Sequence, residues 1–160
     1  GIPYCFAHFI TDGQGMKNAI DLYKSEFRPS KNFNKPIVNV CLWALTAKTE
    51  EEAKYLFASR AAWKIGRNYG HLGPITDPDN ALNIINENNW NEQYDFMFKN
   101  SIVGETSNTK EKISNLVKTN NVDEIAILTW CHDEKARTRS YDLFADQFKL
   151  KAKKSVQKTC

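Results

Sequence analysis

The stretch at residues 122–148 decides the fold of this chain. It reads VDEIAILTW at 122–130, CHD at 131–133 and EKARTRSYDLFADQF at 134–148. A short run that is apolar on both faces, followed directly by an amphipathic helix, is typical of a parallel sheet whose two faces are both covered. Asp133 can accept hydrogen bonds from the first free N–H groups of the helix, and Glu134 favours the positive end of its dipole. The stretch therefore predicts one strand and one helix of an α/β fold.

Two further strand and helix units precede this one. Residues 4–8 predict a strand, and Met16, Ile20 and Tyr23 follow at helical spacing. Residues 37–46 predict the longest strand, and the capping box at 49–52 then predicts the start of a helix with an apolar face. Additional helices are predicted at 78–88, 90–99 and 109–119, and residues 101–104 form a brief apolar element.

Composition limits the class of protein. The chain has 160 residues, of which 41% are hydrophobic and 26% charged, so it is long enough for one domain with a real core, expected at 1–148. No segment approaches the roughly 18 consecutive apolar residues of a membrane span, and the N-terminal residues lack the basic start of a signal peptide. We expect a cytoplasmic protein with no membrane or nucleic-acid partner. The net charge of +3 comes largely from a basic, solvated tail at 149–160.

The cysteines predict neither a metal site nor a disulfide framework. They stand at positions 5, 41, 131 and 160, with no CxxC pair and no Cys and His at zinc-ligand spacing except the adjacent pair at 131–132. Cys5 and Cys41 lie in apolar runs, so we expect buried, reduced thiols.

Five segments can be compared with known families: GIPYCFAHF at 1–9, YKSEFRPS at 23–30, AKTEEEA at 47–53, SIVG at 101–104 and HDEKARTRSYDL at 132–143. Together they resemble the luciferase-like, flavin-dependent monooxygenases. Their order and spacing extend over nearly the whole chain.

The resemblance implies part of a (β/α)8 TIM barrel. Residues 4–8, 37–46 and 124–130 would be its sixth, seventh and eighth strands, and the first five would be absent. A complete barrel of this kind needs about 250 residues. Three parallel strands cannot close, so two bare edges would remain for pairing. We therefore expect a homodimer or a second chain that carries the missing strands.

The resemblance also implies a reaction in which reduced FMN and molecular oxygen oxidise a small organic substrate. The main contacts of that family with the flavin phosphate would lie after the fifth strand, outside this chain. Ala7 and His8 match the position just past the sixth strand that contacts the flavin ring, and His132 would follow the eighth strand. These three are the candidate cofactor-binding residues, no residue is singled out as catalytic, and the chain alone is expected to be inactive.

Each candidate side chain also has an ordinary structural interpretation. An imidazole at a strand end can move a proton near neutral pH or bond the backbone of a turn, and the second alternative is favoured for His132 while His8 stays open. Arg137 and Arg139 suit a phosphate, but ion pairs with nearby carboxylates are favoured. Gly104 could begin an anion site, against which Glu105 argues. The four tryptophans are expected in the core rather than against a flavin.

Two other functions remain open. The chain could be a non-catalytic remnant that persists as a folded dimer or interaction module, or an unrelated small α/β binding domain.

Overall fold

The computed structural model describes residues 1–151, which form a four-stranded parallel sheet and seven helices. The predicted α/β class is confirmed. The strands are Tyr4–Ala7 (β1), Val38–Ala47 (β2), Ile102–Glu105 (β3) and Glu124–Leu128 (β4). The helices are His8–Thr11 (α1), Met16–Glu26 (α2), Glu50–Asn68 (α3), Pro78–Glu87 (α4), Asn91–Asn100 (α5), Thr106–Asn120 (α6) and Glu134–Gln147 (α7).

Strand β2 pairs with each of the other three strands, and every pairing is parallel. β1 lies against its first four residues, with Tyr4 opposite Val38. β4 lies against positions 39–43, and β3 lies against positions 44–47. Because β2 is ten residues long, it can pair with β1 and β4 along its first half and with β3 along its last four residues.

Alternate residues of β2 pack into two separate hydrophobic clusters, as the period of two in a strand requires. Val38, Val40 and Leu42 face a cluster that includes Ile20 of α2 and Phe144 of α7. Trp43, Leu45 and Ala47 face the other cluster, which is built from α3, α4 and α5. Helices therefore cover one face of β2 along its whole length and the other face only from Trp43 onward.

The uncovered part of the sheet corrects two expectations. Cys5 and Ala126 are exposed and Cys41 is half-buried, although buried thiols and a strand covered on both faces were predicted. The apolar sequence was interpreted correctly as strand, but α3 packs only beyond the middle of β2. No helix among the described residues covers the part of this face that holds Cys5 and Ala126.

The predicted helix starts at Thr49 and Asp133 are confirmed. The Thr49 hydroxyl accepts from the Glu52 N–H at 3.1 Å, and Glu52 accepts from the Lys48 N–H at 3.2 Å, one residue earlier than in the usual capping box. An Asp133 carboxylate oxygen accepts from the Ala136 N–H at 2.5 Å.

Several predicted boundaries are wrong by a few residues. β1 ends at Ala7, because His8 begins a helical turn, and residues 102–105 form a fourth strand. β4 ends at Leu128 because Thr129 leaves the ladder: its N–H donates to the Tyr141 hydroxyl at 2.9 Å and its own hydroxyl donates to the Ala44 carbonyl at 2.8 Å. Residues 152–160 of the predicted basic tail lie outside the described residues. Within residues 1–151, no helix is long and apolar enough to cross a membrane.

We expect Ser140→Ala to lower the free energy of unfolding by about 1–3 kcal/mol, because it leaves a buried backbone donor without a partner. The fully buried Ser140 hydroxyl accepts from the Thr46 N–H at 3.0 Å. Urea unfolding followed by circular dichroism measures the difference. The matched control is Ser25→Ala, which removes an exposed hydroxyl from α2. Equal loss in both variants would contradict the prediction.

Candidate functional site

A cavity of about 280 Å³ lies beyond the carboxyl end of β1, beside the middle of β2 and the start of β3. Because all four strands are parallel, their carboxyl ends point to the same side of the sheet, where α/β folds place their ligands. We call it the β1-end cavity. Its walls include His8, Phe9, Asp12, Trp43, Arg60 and Met97.

His8 is the first residue of α1, and no side chain caps the start of this helix. Burial lowers the pKa of the imidazole below its usual 6.5; the Asp12 carboxylate opposes this, and the cations of Lys64 and Arg60 add to it. At neutral pH the ring is therefore largely uncharged, and one nitrogen can donate while the other accepts. Gly13 lies against this ring in a left-handed conformation, and a Cβ there would come 2.6 Å from Nε2. Only glycine gives the imidazole this position.

Arg60 projects from α3 into the same cavity and is 3% exposed. Its Cζ lies 4.0 Å from the centroid of the Trp43 ring, which is close enough for a cation–π interaction. Burial lowers its pKa to about 10, with the Asp12 carboxylate opposing the effect, so the guanidinium remains charged at neutral pH. Among residues 1–151, no ion pair within 4.0 Å includes Arg60.

Two buried donors at this position have no hydrogen-bond partner among the described residues. They are Nε of Arg60 and Nε1 of Trp43. A buried donor without a partner costs about 1–3 kcal/mol, so such groups are rare and call for an explanation. Together with the neutral His8 they give the cavity hydrogen-bond donors beside apolar side chains. This arrangement suits a planar group whose edge carries hydrogen-bond acceptors.

An ion pair between Asp12 and Lys64 connects two segments that contribute to the wall of the cavity. Asp12 stands at the end of α1 in a left-handed conformation and forms an ion pair with Lys64 of α3. The pair joins the segment after β1 to the helix that carries Arg60. It also sets the local charge, because the Asp12 carboxylate opposes the depressed pKa of both His8 and Arg60.

Of the three predicted cofactor-binding residues, only His8 lines the β1-end cavity. Ala7 is the last residue of β1, opposite Cys41, and His8 follows it into the cavity wall. His132 is exposed in the bend after β4 and does not line this cavity. Its charge acts instead on Asp77, the N-cap of α4, as the smallest of several causes that lower the pKa of that carboxyl. Whether Ala7, His8 or His132 binds a cofactor stays a prediction.

Sequence reasoning missed Arg60. The sequence did contain a sign that this arginine is buried. It stands three positions after Phe57 and next to Ala61, on the apolar side of α3. Trp43 was assigned to the core, which is confirmed, but it also forms a wall of the cavity. Trp90 is buried as well, whereas Trp63 and Trp130 are half-buried.

The favoured structural interpretations hold for the remaining candidates. Arg139 forms an ion pair with Glu52 of α3, and Arg137 pairs with Glu134 at 3.4 Å. At Gly104 the Glu50 carboxylate already accepts from the Glu105 N–H at 2.8 Å, which leaves no anion site. Within residues 1–151, no group of three or more His, Cys, Asp or Glu side chains could hold a metal ion.

No family model matches the chain. It is 28% identical over 151 residues to a protein of Escherichia coli strain K12 named luciferase-like monooxygenase, an alignment that covers 91% of this chain and 43% of that protein. The resemblance to the luciferase-like monooxygenases is confirmed. Two Bacillus subtilis relatives are the uncharacterized proteins YceB, 29% identical over 92% of this chain and 44% of its own length, and YvbT, 28% identical over 93% and 44%. The chain thus spans less than half the length of these relatives.

The crystal structure of apo-MsnO8 has the same fold. It superposes with a TM-score of 0.80 at 22% identity, over 94% of this chain and 46% of that protein. At this level of identity the likeness concerns the fold alone. It supports the arrangement of parallel strands and covering helices described above.

We expect the pKa of His8 to lie below 6.5 and to respond to its two charged neighbours in opposite directions. Lys64→Met removes a cation and raises it, whereas Asp12→Asn removes the carboxylate that opposes the effect and lowers it further. The imidazole signals in a proton NMR titration measure it, with His8→Gln to assign the resonance. A midpoint at or above 6.5 would show that burial does not control the pKa of this ring. Shifts of the same sign in both variants would show that Asp12 and Lys64 do not act on it in opposite directions.

Proposed function

We propose that this chain is the carboxyl-terminal part of a luciferase-like flavin-dependent monooxygenase, in which reduced FMN and molecular oxygen oxidise an organic substrate. The observation that carries the proposal is the similarity to a protein of that name over 91% of this chain. The position of the β1-end cavity supports it, because barrel enzymes bind their ligands at the carboxyl ends of the strands.

The donors of the cavity fit a flavin. An isoalloxazine ring carries carbonyl oxygens and ring nitrogens that accept hydrogen bonds along one edge, and its faces are apolar. Arg60 Nε and Trp43 Nε1 are buried donors without partners, and Phe9 and Met97 supply apolar surface. Reduced FMN, when bound, supplies the electrons that activate oxygen.

The residues of this chain then have separate tasks. The Arg60 cation stabilises negative charge on the ring edge, since a buried charge acts strongly in a site that excludes water. The neutral His8 donates or accepts one proton at the rim. Trp43 holds the guanidinium in place through its ring.

The same proposal makes β1, β2 and β4 the sixth, seventh and eighth strands of a (β/α)8 barrel. The outer edges of β1 and β4 have no partner strand among the described residues. The exposed face of the sheet with Cys5, Glu124 and Ala126 would face the barrel interior. The strands that enclose it come from a second copy of this chain or from a chain that carries the first five strands.

We also propose that the protein is cytoplasmic. Cys5, Cys41 and Cys131 are free thiols, as proteins of a reducing compartment usually have.

A second candidate function is a non-catalytic module that persists as a folded dimer. The uncovered face of the sheet favours it, because that surface can pack against a second copy whether or not flavin binds. The two candidates differ in flavin affinity.

We expect the wild-type chain to quench the fluorescence of FMN at micromolar concentration, and Arg60→Met to weaken that binding about tenfold or more. The reason is that a charged hydrogen bond to the ring contributes about 1.5–3 kcal/mol. The matched control, Arg28→Met, removes an exposed arginine outside the cavity and leaves the affinity unchanged. The titration is repeated with reduced FMN without oxygen.

Light scattering with and without FMN separates the two candidates. Flavin uptake by a dimer or a larger species supports the half-barrel proposal and justifies a search for the substrate. A colourless dimer without affinity for either form of FMN would reject the monooxygenase assignment for this chain and favour the non-catalytic module. Equal affinity in wild type and Arg60→Met would reject the β1-end cavity as the flavin site.

A further inference from the structure

A second cavity, of about 250 Å³, lies between α3, the segment 71–76 and α4. We call it the α3–α4 cavity. Ser59 and Gly66 line it from α3, Ile84 from α4, and His71 and Leu72 from the intervening segment, while Trp90 closes one side. It shares no wall residue with the β1-end cavity.

Indole rings form much of the wall, and other contacts already hold them in place. The Trp90 ring stacks on Tyr69 with 5.2 Å between centroids and meets the His71 ring edge-on at 6.0 Å. Trp63 donates its indole N–H to the Gly73 carbonyl at 2.9 Å. Because these rings are fixed before a ligand arrives, binding does not have to order them.

One buried polar group in this wall forms no hydrogen bond among the described residues. Ser59 is 1% exposed, and its hydroxyl has no hydrogen-bond partner among the described residues. The cavity wall contains no Asp, Glu, Lys or Arg side chain. The site therefore offers aromatic surface, the His71 imidazole and two hydroxyls, those of Ser59 and Thr76. The Thr76 hydroxyl already donates to the Asp77 carboxylate at 3.4 Å, so Ser59 carries the hydroxyl without a partner. A wall with no carboxylate, ammonium or guanidinium group favours a neutral ligand over a charged one.

We propose that the α3–α4 cavity binds a small, neutral aromatic molecule that carries one hydroxyl or carbonyl group. Cavities of about 150 Å³ with apolar walls accept benzene, so this volume suits one or two fused rings. The rings pack between Trp63 and Trp90, and the polar substituent bonds the Ser59 hydroxyl. The site is separate from the proposed flavin site, and its occupancy does not depend on the proposed function.

The test is a titration of the nitrogen-15 labelled chain with 2-naphthol, followed through the indole N–H signals in NMR spectra. We expect the signals of Trp63 and Trp90 to move and that of Trp43, in the β1-end cavity, to stay. Naphthalene, which lacks the hydroxyl, should bind more weakly. A titration that moves Trp43 and not Trp90 would overturn the proposal, and so would the absence of any shift up to the solubility of the probe.

Two substitutions within α3 locate the ligand. Gly66→Ala places a methyl group 3.3 Å from Cβ of His71 and 3.7 Å from the Trp90 ring, and we expect it to weaken binding about tenfold. Alanine has a higher helix propensity than glycine, so the variant should fold. Ser59→Ala should weaken 2-naphthol about fivefold and leave naphthalene unchanged, as loss of one neutral hydrogen bond predicts. Unchanged affinity for 2-naphthol in both variants would reject the site.

A pair of exposed leucines supplies the matched control. Leu72 is 80% exposed at the rim of the cavity, and Leu22 is 63% exposed on α2. Leu72→Ala should weaken binding severalfold while Leu22→Ala should not. Equal effects would mean that 2-naphthol adheres to apolar surface in general, which also contradicts a defined site.

Discussion

The pairing of β2 with every other strand is the constraint on which the structure depends. β1, β3 and β4 make no ladder with one another among the described residues, so each takes its register from β2 alone. The alternation of β2 also separates the two hydrophobic clusters. A shift of one residue would move Val38 and Val40 to the uncovered face and Asn39 and Cys41 into the core. The apolar residues at alternate positions therefore specify the register strongly.

The amino-terminal half of the sheet shows how a bare face can be tolerated. Cys5, Asn39 and Glu124 stand opposite one another in one row across three strands. The Cys5 thiol donates to the Asn39 side-chain oxygen at 3.3 Å, and the Asn39 amide donates to Glu124 at 3.4 Å. These polar groups bond one another, so the row is compatible with water. The surface becomes apolar only toward Ala126 and Leu128, where further strands would have most to bury.

The local sequence was sufficient to predict the strands and helices, but not which faces of the sheet the helices cover. The run at 122–130 predicts a strand because β-branched and apolar residues follow one another there, and the capping residues Thr49 and Asp133 mark helix starts through short-range bonds. Whether Ala126 is covered depends on where α3 lies, and that position is set by Trp43 and Phe57, far away in the chain. For the same reason the sequence placed His8 at a strand end but did not pair it with Arg60.

Helix α3 explains why both cavities contain unsatisfied polar groups. All seven residues at 56–62 of this helix are buried, so a polar side chain there needs a partner from another element. Ser59 and Arg60 are adjacent in sequence and about 100° apart around the helix axis, so they serve different walls. Arg60 reaches a tryptophan ring that partly compensates its charge, and Ser59 meets aromatic surface with no acceptor. The buried neighbours Ala58, Ala61 and Ala62 have no side-chain polar group that needs a partner. The two polar residues therefore reduce stability in a helix otherwise built for close packing, which is the pattern expected where a ligand completes the hydrogen bonds.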